Sequence, residues 1–427
     1  VIAALLAITV SLAACGPTAG RGGDATTGPS ATPKAAHLPT LLAYDITGDN
    51  GGTSTGVGNL AAFDPTTGHM RWRQTVPAPT SQPIVGESAL YITQASDAAN
   101  GGASASPASN GNGYSENLEA LSLGNGAPLW SVTLNNQIGP IAERQGVLYA
   151  SAPFADFEHP VPVGLVVAFD AANGAQRWAT RLTAGAISGE VFTPSAIFIL
   201  ATNPFGANGQ ATAAVVALRP SDGHILWTTP QPNVAHAQTQ LLADGGRVYV
   251  VAAPSNTTSP VASAQIDALD GGSGRGLWSQ AYDNVITHVA VVATNGALYL
   301  PLAPPSPGEM VTALRGSDGS TQWSAPVNAA IYTLVVSQGA VYVNGITGDT
   351  NQSKLYAFAL NGAPQWNIML SEGFVFKATA NAQTLYLAAT PRYGTASNAL
   401  EARAAARGAL EWRQTITGSV SSLALTA

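Results

Sequence analysis

The chemistry-bearing side chains of this 427-residue chain are few, and their spacing builds none of the familiar reaction centres. The six histidines (His37, His69, His159, His224, His236, His288) show no HExxH pair and no short metal-ligand spacing. A single cysteine excludes a disulfide framework, a CxxC redox pair and any multi-cysteine zinc site. No Gly-x-Ser-x-Gly elbow is present. Gly271–Gly276 has the look of a phosphate loop, but no strand–helix–strand pattern surrounds it, so a turn is expected there. Asp45–Gly52 has the acidic and glycine content of a calcium loop, yet it lacks the alternating ligands and the closing Glu, so a polar insertion is expected. Catalytic, cofactor-binding and metal sites are therefore all expected to be none. The net charge of −7, from 24 acids against 17 bases, offers no basic stripe for nucleic acid.

The cysteine has a different chemistry. Val1–Ala14 is uncharged and apolar, too short to span a bilayer at about 20 residues, and of the length of a signal-peptide apolar region. Leu12-Ala13-Ala14-Cys15-Gly16 resembles the bacterial lipobox, in which the thiol is acylated and becomes the new N-terminus. Cys15 is thus the expected lipid attachment. No Met, Lys or Arg stands before Val1, so the true N-terminus of such a signal is not in view. Residues 15–37, rich in Gly, Pro, Thr and Ala, read as the lipidated cysteine and a flexible tether. The folded region is expected at 38–427.

The elements of that region announce themselves through tryptophan. Trp72, Trp130, Trp178, Trp227, Trp278, Trp323, Trp366 and Trp412 recur every 43 to 58 residues, and a glycine stands four residues before each (Gly68, Gly126, Gly174, Gly223, Gly274, Gly319, Gly362, Gly408). An alanine precedes seven of them by ten and Trp366 by nine. An aromatic in a strand-like setting follows all but the last tryptophan: Tyr91, Tyr149, Phe198, Tyr249, Tyr299, Tyr342 and Tyr386. The eighth such strand is Leu41–Tyr44, at the opposite end of the chain. Each unit reads as four strands, with an Asp-x-x-[Thr/Ser/Asn]-Gly hairpin between the last two. About 49 residues per unit lies in the propeller range. The pattern predicts an all-β fold, an eight-bladed β-propeller of four-stranded antiparallel blades, closed by the N-terminal strand joining the last unit. Closure would leave few exposed sheet edges.

The Ala-[Leu/Phe]-Asp-x-x-Thr-Gly-x-x-x-Trp pattern resembles the pyrroloquinoline-quinone-type (PQQ-like) repeat over the whole folded region. Ser122, Arg219 and Arg315 stand in place of the aspartate, and the last copy keeps only Ala402, Gly408 and Trp412. The resemblance implies one of two branches. Quinoprotein dehydrogenases hold their quinone between a tryptophan and a vicinal cysteine pair, with calcium beside an aspartate base. Smaller cofactor-free lipoproteins of the BamB-like outer-membrane barrel-assembly branch scaffold other envelope proteins. One cysteine and eight tryptophans all committed to the repeat match the second branch.

That branch implies a non-catalytic, lipid-anchored, monomeric scaffold outside the cytoplasm, at the outer membrane in a diderm or the cell surface in a monoderm. Its partners would be envelope proteins, with no nucleic acid. The alternatives are a quinoprotein-related enzyme or small-ligand binder using the central channel, and an extracellular carbohydrate- or surface-binding module. The second-to-third connections are long and dissimilar, and they share one face with the inter-unit connections. Binding usually resides in such loops. Phe154, Phe157, Phe205, Arg392 and Tyr393 are the expected partner-binding residues, being of the types enriched at interface hot spots.

Overall fold

The computed structural model describes residues 39–46, 57–77, 80–95, 115–134, 137–156, 163–183, 185–203, 211–232, 234, 237–254, 260–306, 308–348, 352–370, 374–390, 398–416 and 419–426. Every regular element among them is a β-strand. Cys15, the 15–37 stretch, Phe157, Phe205, Arg392, Tyr393 and most of the Asp45–Gly52 loop lie outside the described residues.

The Trp227 sheet shows the plan. Ala186–Phe192, Ile197–Asn203, Thr212–Leu218 and Ile225–Pro230 pair antiparallel in that order. Among the described residues there are six such four-stranded sheets and one eight-stranded sheet. In the latter, two four-strand runs, those of Trp278 and Trp323, are joined by the single pair Val285–Leu302. The Trp72 sheet takes strands from both ends of the chain: Ser419–Leu425, Leu41–Ile46, Val57–Phe63 and Met70–Pro77. The strand at Leu41–Tyr44 is present as expected, but its register differs. Leu42, not Tyr44, stands opposite Ala62, in the slot that Tyr91 fills opposite Ala120.

The tryptophan signature now has a physical cause. In every unit the residue before the tryptophan is an unpaired bulge, Arg71, Leu129, Arg177, Leu226, Leu277, Gln322, Gln365 or Glu411. A bulge bends the strand and re-aims the side chain that follows it. Each indole consequently reaches the next sheet, donating its Nε1–H to the carbonyl of the second turn residue there at 2.8–3.1 Å. Trp412 donates to Pro65, at the other end of the chain. The indole also covers the next sheet's turn glycine. That glycine has φ of 69–85°, and a Cβ there would come within 2.4–3.0 Å of the ring, so glycine is required by both conformation and space. Behind the indole, the second-strand ring of its own sheet lies 5.8–6.2 Å away in seven units.

The turn aspartate holds its hairpin by accepting backbone amides, as Asp64 does from Thr66 and Thr67. Its carboxylate also pairs with Arg71 at 2.7 Å, and Asp170 pairs likewise with Arg177. Where Arg219 and Arg315 replace the aspartate, the carboxylate has moved three residues on: Asp222 and Asp318 pair back to them. An ion pair is kept, with the arginine in the aspartate's place and its partner inside the turn. Gly271–Gly276 is one of these turns, with Asp270 accepting from Ser273 and Gly274 under the Trp227 indole.

Candidate functional site

Recognition on such a scaffold falls to whatever departs from the repeat, and two kinds of departure share one face. The first is loop length. The second-to-third connections run from 95 to 116, 156 to 163, 203 to 212, 254 to 261 and 390 to 398, whereas the first-to-second turns contain two to four residues. The strand Val147–Asp156 extends through Phe154, so this residue sits on a strand end rather than in the loop where sequence placed it. Its side chain is outside the described residues.

The second departure lies on the first strands, which abut one another from sheet to sheet. Four of them carry a bulge at their third residue: Ser188, Tyr332, Phe376 and Ser421. The third residue is near the inter-sheet connection, on the same face as the long loops. Tyr332 is 41% exposed. The His288 ring lies 5.7 Å from it, carried by the connection ahead of Val292–Thr294. Glu309, closing the 303–309 connection, accepts the amide of Ile331. Burial raises the pKa of Glu309, and the Ile331 amide and the charge of His288 oppose that rise. On the Trp412 first strand Lys377, beside the Phe376 bulge, has its pKa lowered by burial. Three segments thus bring an aromatic ring, an imidazole and a carboxylate together. Such a set offers a ring face, an imidazole and a hydrogen-bond acceptor to whatever approaches this face.

In the sequence His288 is one of six scattered histidines, and neither Tyr332 nor Glu309 stands out. Tyr332 stands at the third residue of the first strand Ala330–Val336, a position held by serine in two other sheets, so residue type at that place gives no pattern to read. His69 and His224 are exposed hairpin residues, as their shared slot implied. Among the described residues no three of His, Cys, Asp and Glu gather as metal ligands.

Two carboxylates on neighbouring first strands turn into the seams between sheets, and their surroundings differ. Glu143, on Ile141–Arg144 and 1% exposed, grips the preceding sheet. Its Oε2 accepts from the Tyr91 hydroxyl and the Ser88 amide at 2.9 Å, and its Oε1 from the Ser88 hydroxyl at 2.6 Å. Burial, then the neighbouring Glu143 charge, drives the Tyr91 phenol far above its usual range. Glu190, on Ala186–Phe192, is half-buried as a residue, with its carboxyl turned inward. It has one described contact: the Ser151 hydroxyl at 3.5 Å. Burial lifts its carboxyl from 4.5 to about 7, with Ser151 the sole opposing influence.

An all-β chain of four-stranded antiparallel sheets, each pinned to the next by a bulge-directed tryptophan over a glycine turn, is a PQQ-like propeller repeat protein. The chain belongs to the family described as outer membrane protein assembly factor BamB, whose model matches residues 43–191 and 163–350. No curated protein matches the chain in sequence. Among solved structures it is similar to BamB from Moraxella catarrhalis, at 15% identity over 72% of this chain and 86% of that one, with a TM-score of 0.44. It is also similar to the dihydro-heme d1 dehydrogenase NirN, at 9% identity over 90% and 74%, TM-score 0.57. A third is a eukaryotic initiation factor, at 10% identity over 92% and 98%, TM-score 0.52. At such identities the last two likenesses show the fold alone.

Proposed function

We propose that this chain is a non-catalytic scaffold of the cell envelope, an eight-bladed ring tied to its membrane through a lipid on Cys15 and docking another envelope protein on its loop-rich face. The family match over residues 43–350 carries the reading. The seams support it. Pairing of Leu41–Ile46 with Ser419–Leu425, and of the Trp412 indole with Pro65, is what a ring closed by its own ends requires. All eight indole donors are engaged in holding neighbouring sheets, and the sequence carries one cysteine, so these residues do not fit a quinone held between tryptophan and a cysteine pair. Tyr332 with His288 and Glu309 is the described part of the docking face; Phe154, Phe157, Phe205, Arg392 and Tyr393 extend it.

The test is site-specific photo-crosslinking in intact envelopes, with the photoreactive residue at position 332 and, as control, at Leu129 on an outer strand. A discrete adduct from 332 alone supports the docking face; equal or no adducts at both positions would overturn it. Metabolic labelling with a fatty acid, lost in Cys15→Ser, tests the anchor. Calorimetric titration with pyrroloquinoline quinone and calcium separates the scaffold from the enzyme reading: saturable binding would favour the enzyme.

A further inference from the structure

We propose that Glu190 is a proton-operated latch on one seam of the molecule, between the Trp178 and Trp227 sheets, tightening it when protonated and loosening it when ionised. The latch stands apart from the scaffold reading, because it rests on the packing of one side chain.

Register fixes where Glu190 lies. It stands opposite Ile199, the residue after the second-strand ring Phe198. The same position in five other sheets is held by Ile141, Leu241, Leu334, Ala378 and Leu423. All five are apolar and at most 7% exposed, and each packs into the core of the preceding sheet beside its second-strand ring, which for Leu423 is Tyr386. Glu190 follows the same course. It reaches Ser151, 1% exposed, on the preceding sheet's second strand, two residues from Tyr149. Two residues further along its own strand, Phe192 stacks on Tyr149 at 5.9 Å. A carboxyl group therefore occupies a layer built for methyl groups.

Such a group is tolerated as a neutral acid, which can donate one hydrogen bond, and is costly as an anion without donors. Glu143, one sheet earlier, is differently housed: three donors meet its two oxygens. Among the described residues, the strands packed against Ala186–Phe192 supply no equivalent. Val147–Asp156 offers Tyr149 and the Ser151 hydroxyl; Val163–Asp170 offers Asp170, committed to Arg177 on the rim. Ala237–Asp244 offers Asp244, which accepts the Gly296 amide. Ile197–Asn203 has no titratable side chain. Among the described residues, no charge on these elements influences the Glu190 equilibrium, which answers to burial and Ser151.

The experiment uses the full chain. Urea unfolding and hydrogen exchange, corrected for intrinsic rates, are followed from pH 4.5 to 8.5 in the native protein, Glu190→Gln and Glu190→Leu, with Glu143→Gln as a control. Native opening of the peptides covering 147–156 and 186–192 should grow over this range on the order of 100-fold more than in Glu190→Gln. Glu190→Leu should match its neighbours in the layer and be pH-insensitive at this seam. Direct titration of the Glu190 carboxyl carbon by NMR in the native protein needs no variant. A midpoint in the ordinary glutamate range, or an unchanged pH response in Glu190→Gln, would overturn the latch. A midpoint near neutrality together with a flat response in the variant supports it.

Discussion

The two seams flanking the Trp178 sheet are built alike on the outside and unlike on the inside. On the outer rim, Trp130 and Trp178 make the same hydrogen bond and cover the same turn glycine, Gly174 and Gly223. On the inner strands, Glu143 is bound by three donors across the first seam, while Glu190 meets one distant hydroxyl across the second. Both carboxyls reach into the preceding sheet; one finds three donors there and the other a single distant one. An inward-turned acid is thus a rivet in one seam and a pH-dependent weakness in the next, and residue type alone does not distinguish them.

The comparison can be broken first at the rim. Trp130→Ala and Trp178→Ala should each cost about 3–5 kcal/mol in urea unfolding, and equally, since the two indoles do the same work. Unequal losses would show that the inner strands reach the rim. Next comes Glu190→Leu. The native carboxyl binds its proton more tightly folded than unfolded, so stability is greatest below about pH 4.5, falls as pH climbs to about 7, and is level beyond. The variant should lack that fall and be more stable at pH 8 by up to about 3 kcal/mol, since each tenfold difference in proton affinity between the folded and unfolded chain is worth about 1.4 kcal/mol. Glu143→Gln should act with opposite sign, losing about 1–3 kcal/mol because an amide cannot accept from all three donors. The smallest effect is expected for Tyr332→Ser, within about 0.5 kcal/mol of native stability, since its exposed ring supports little of the core. Its loss should appear in envelope crosslinking instead.

What the sequence revealed and concealed follows the same division. The tryptophan, glycine and alanine markers are legible because one geometric requirement recurs: a bulge, an indole and a turn with no room for a Cβ. Even the ion pairs at Arg219 and Arg315 obey it, though their sequences break the pattern. The Leu41–Tyr44 strand was visible while its register was not, because a tyrosine two positions from the expected slot still reads as strand. The proposed docking face was only half visible. Loop length pointed to one side of the molecule, but Tyr332 owes its exposure to a bulge, which no residue pattern on that strand declares. Glu190 was silent for a related reason: its meaning lies in the five apolar residues that share its layer, and those align only once register is known.

The Trp72 sheet has a consequence for how the molecule comes into being. Its first and second strands are separated by nearly the whole chain, with Thr40 and Thr426 joined by a hydrogen bond across 386 residues. Contacts that distant form late, because the loop they close must first be collapsed by nearer ones. During synthesis the Leu41–Ile46 strand therefore waits, edge exposed, until Ser419–Leu425 has been made. The growing chain has to be kept from pairing that edge with a neighbour, and the step that completes the fold is also the one most open to exchange of strands between two copies.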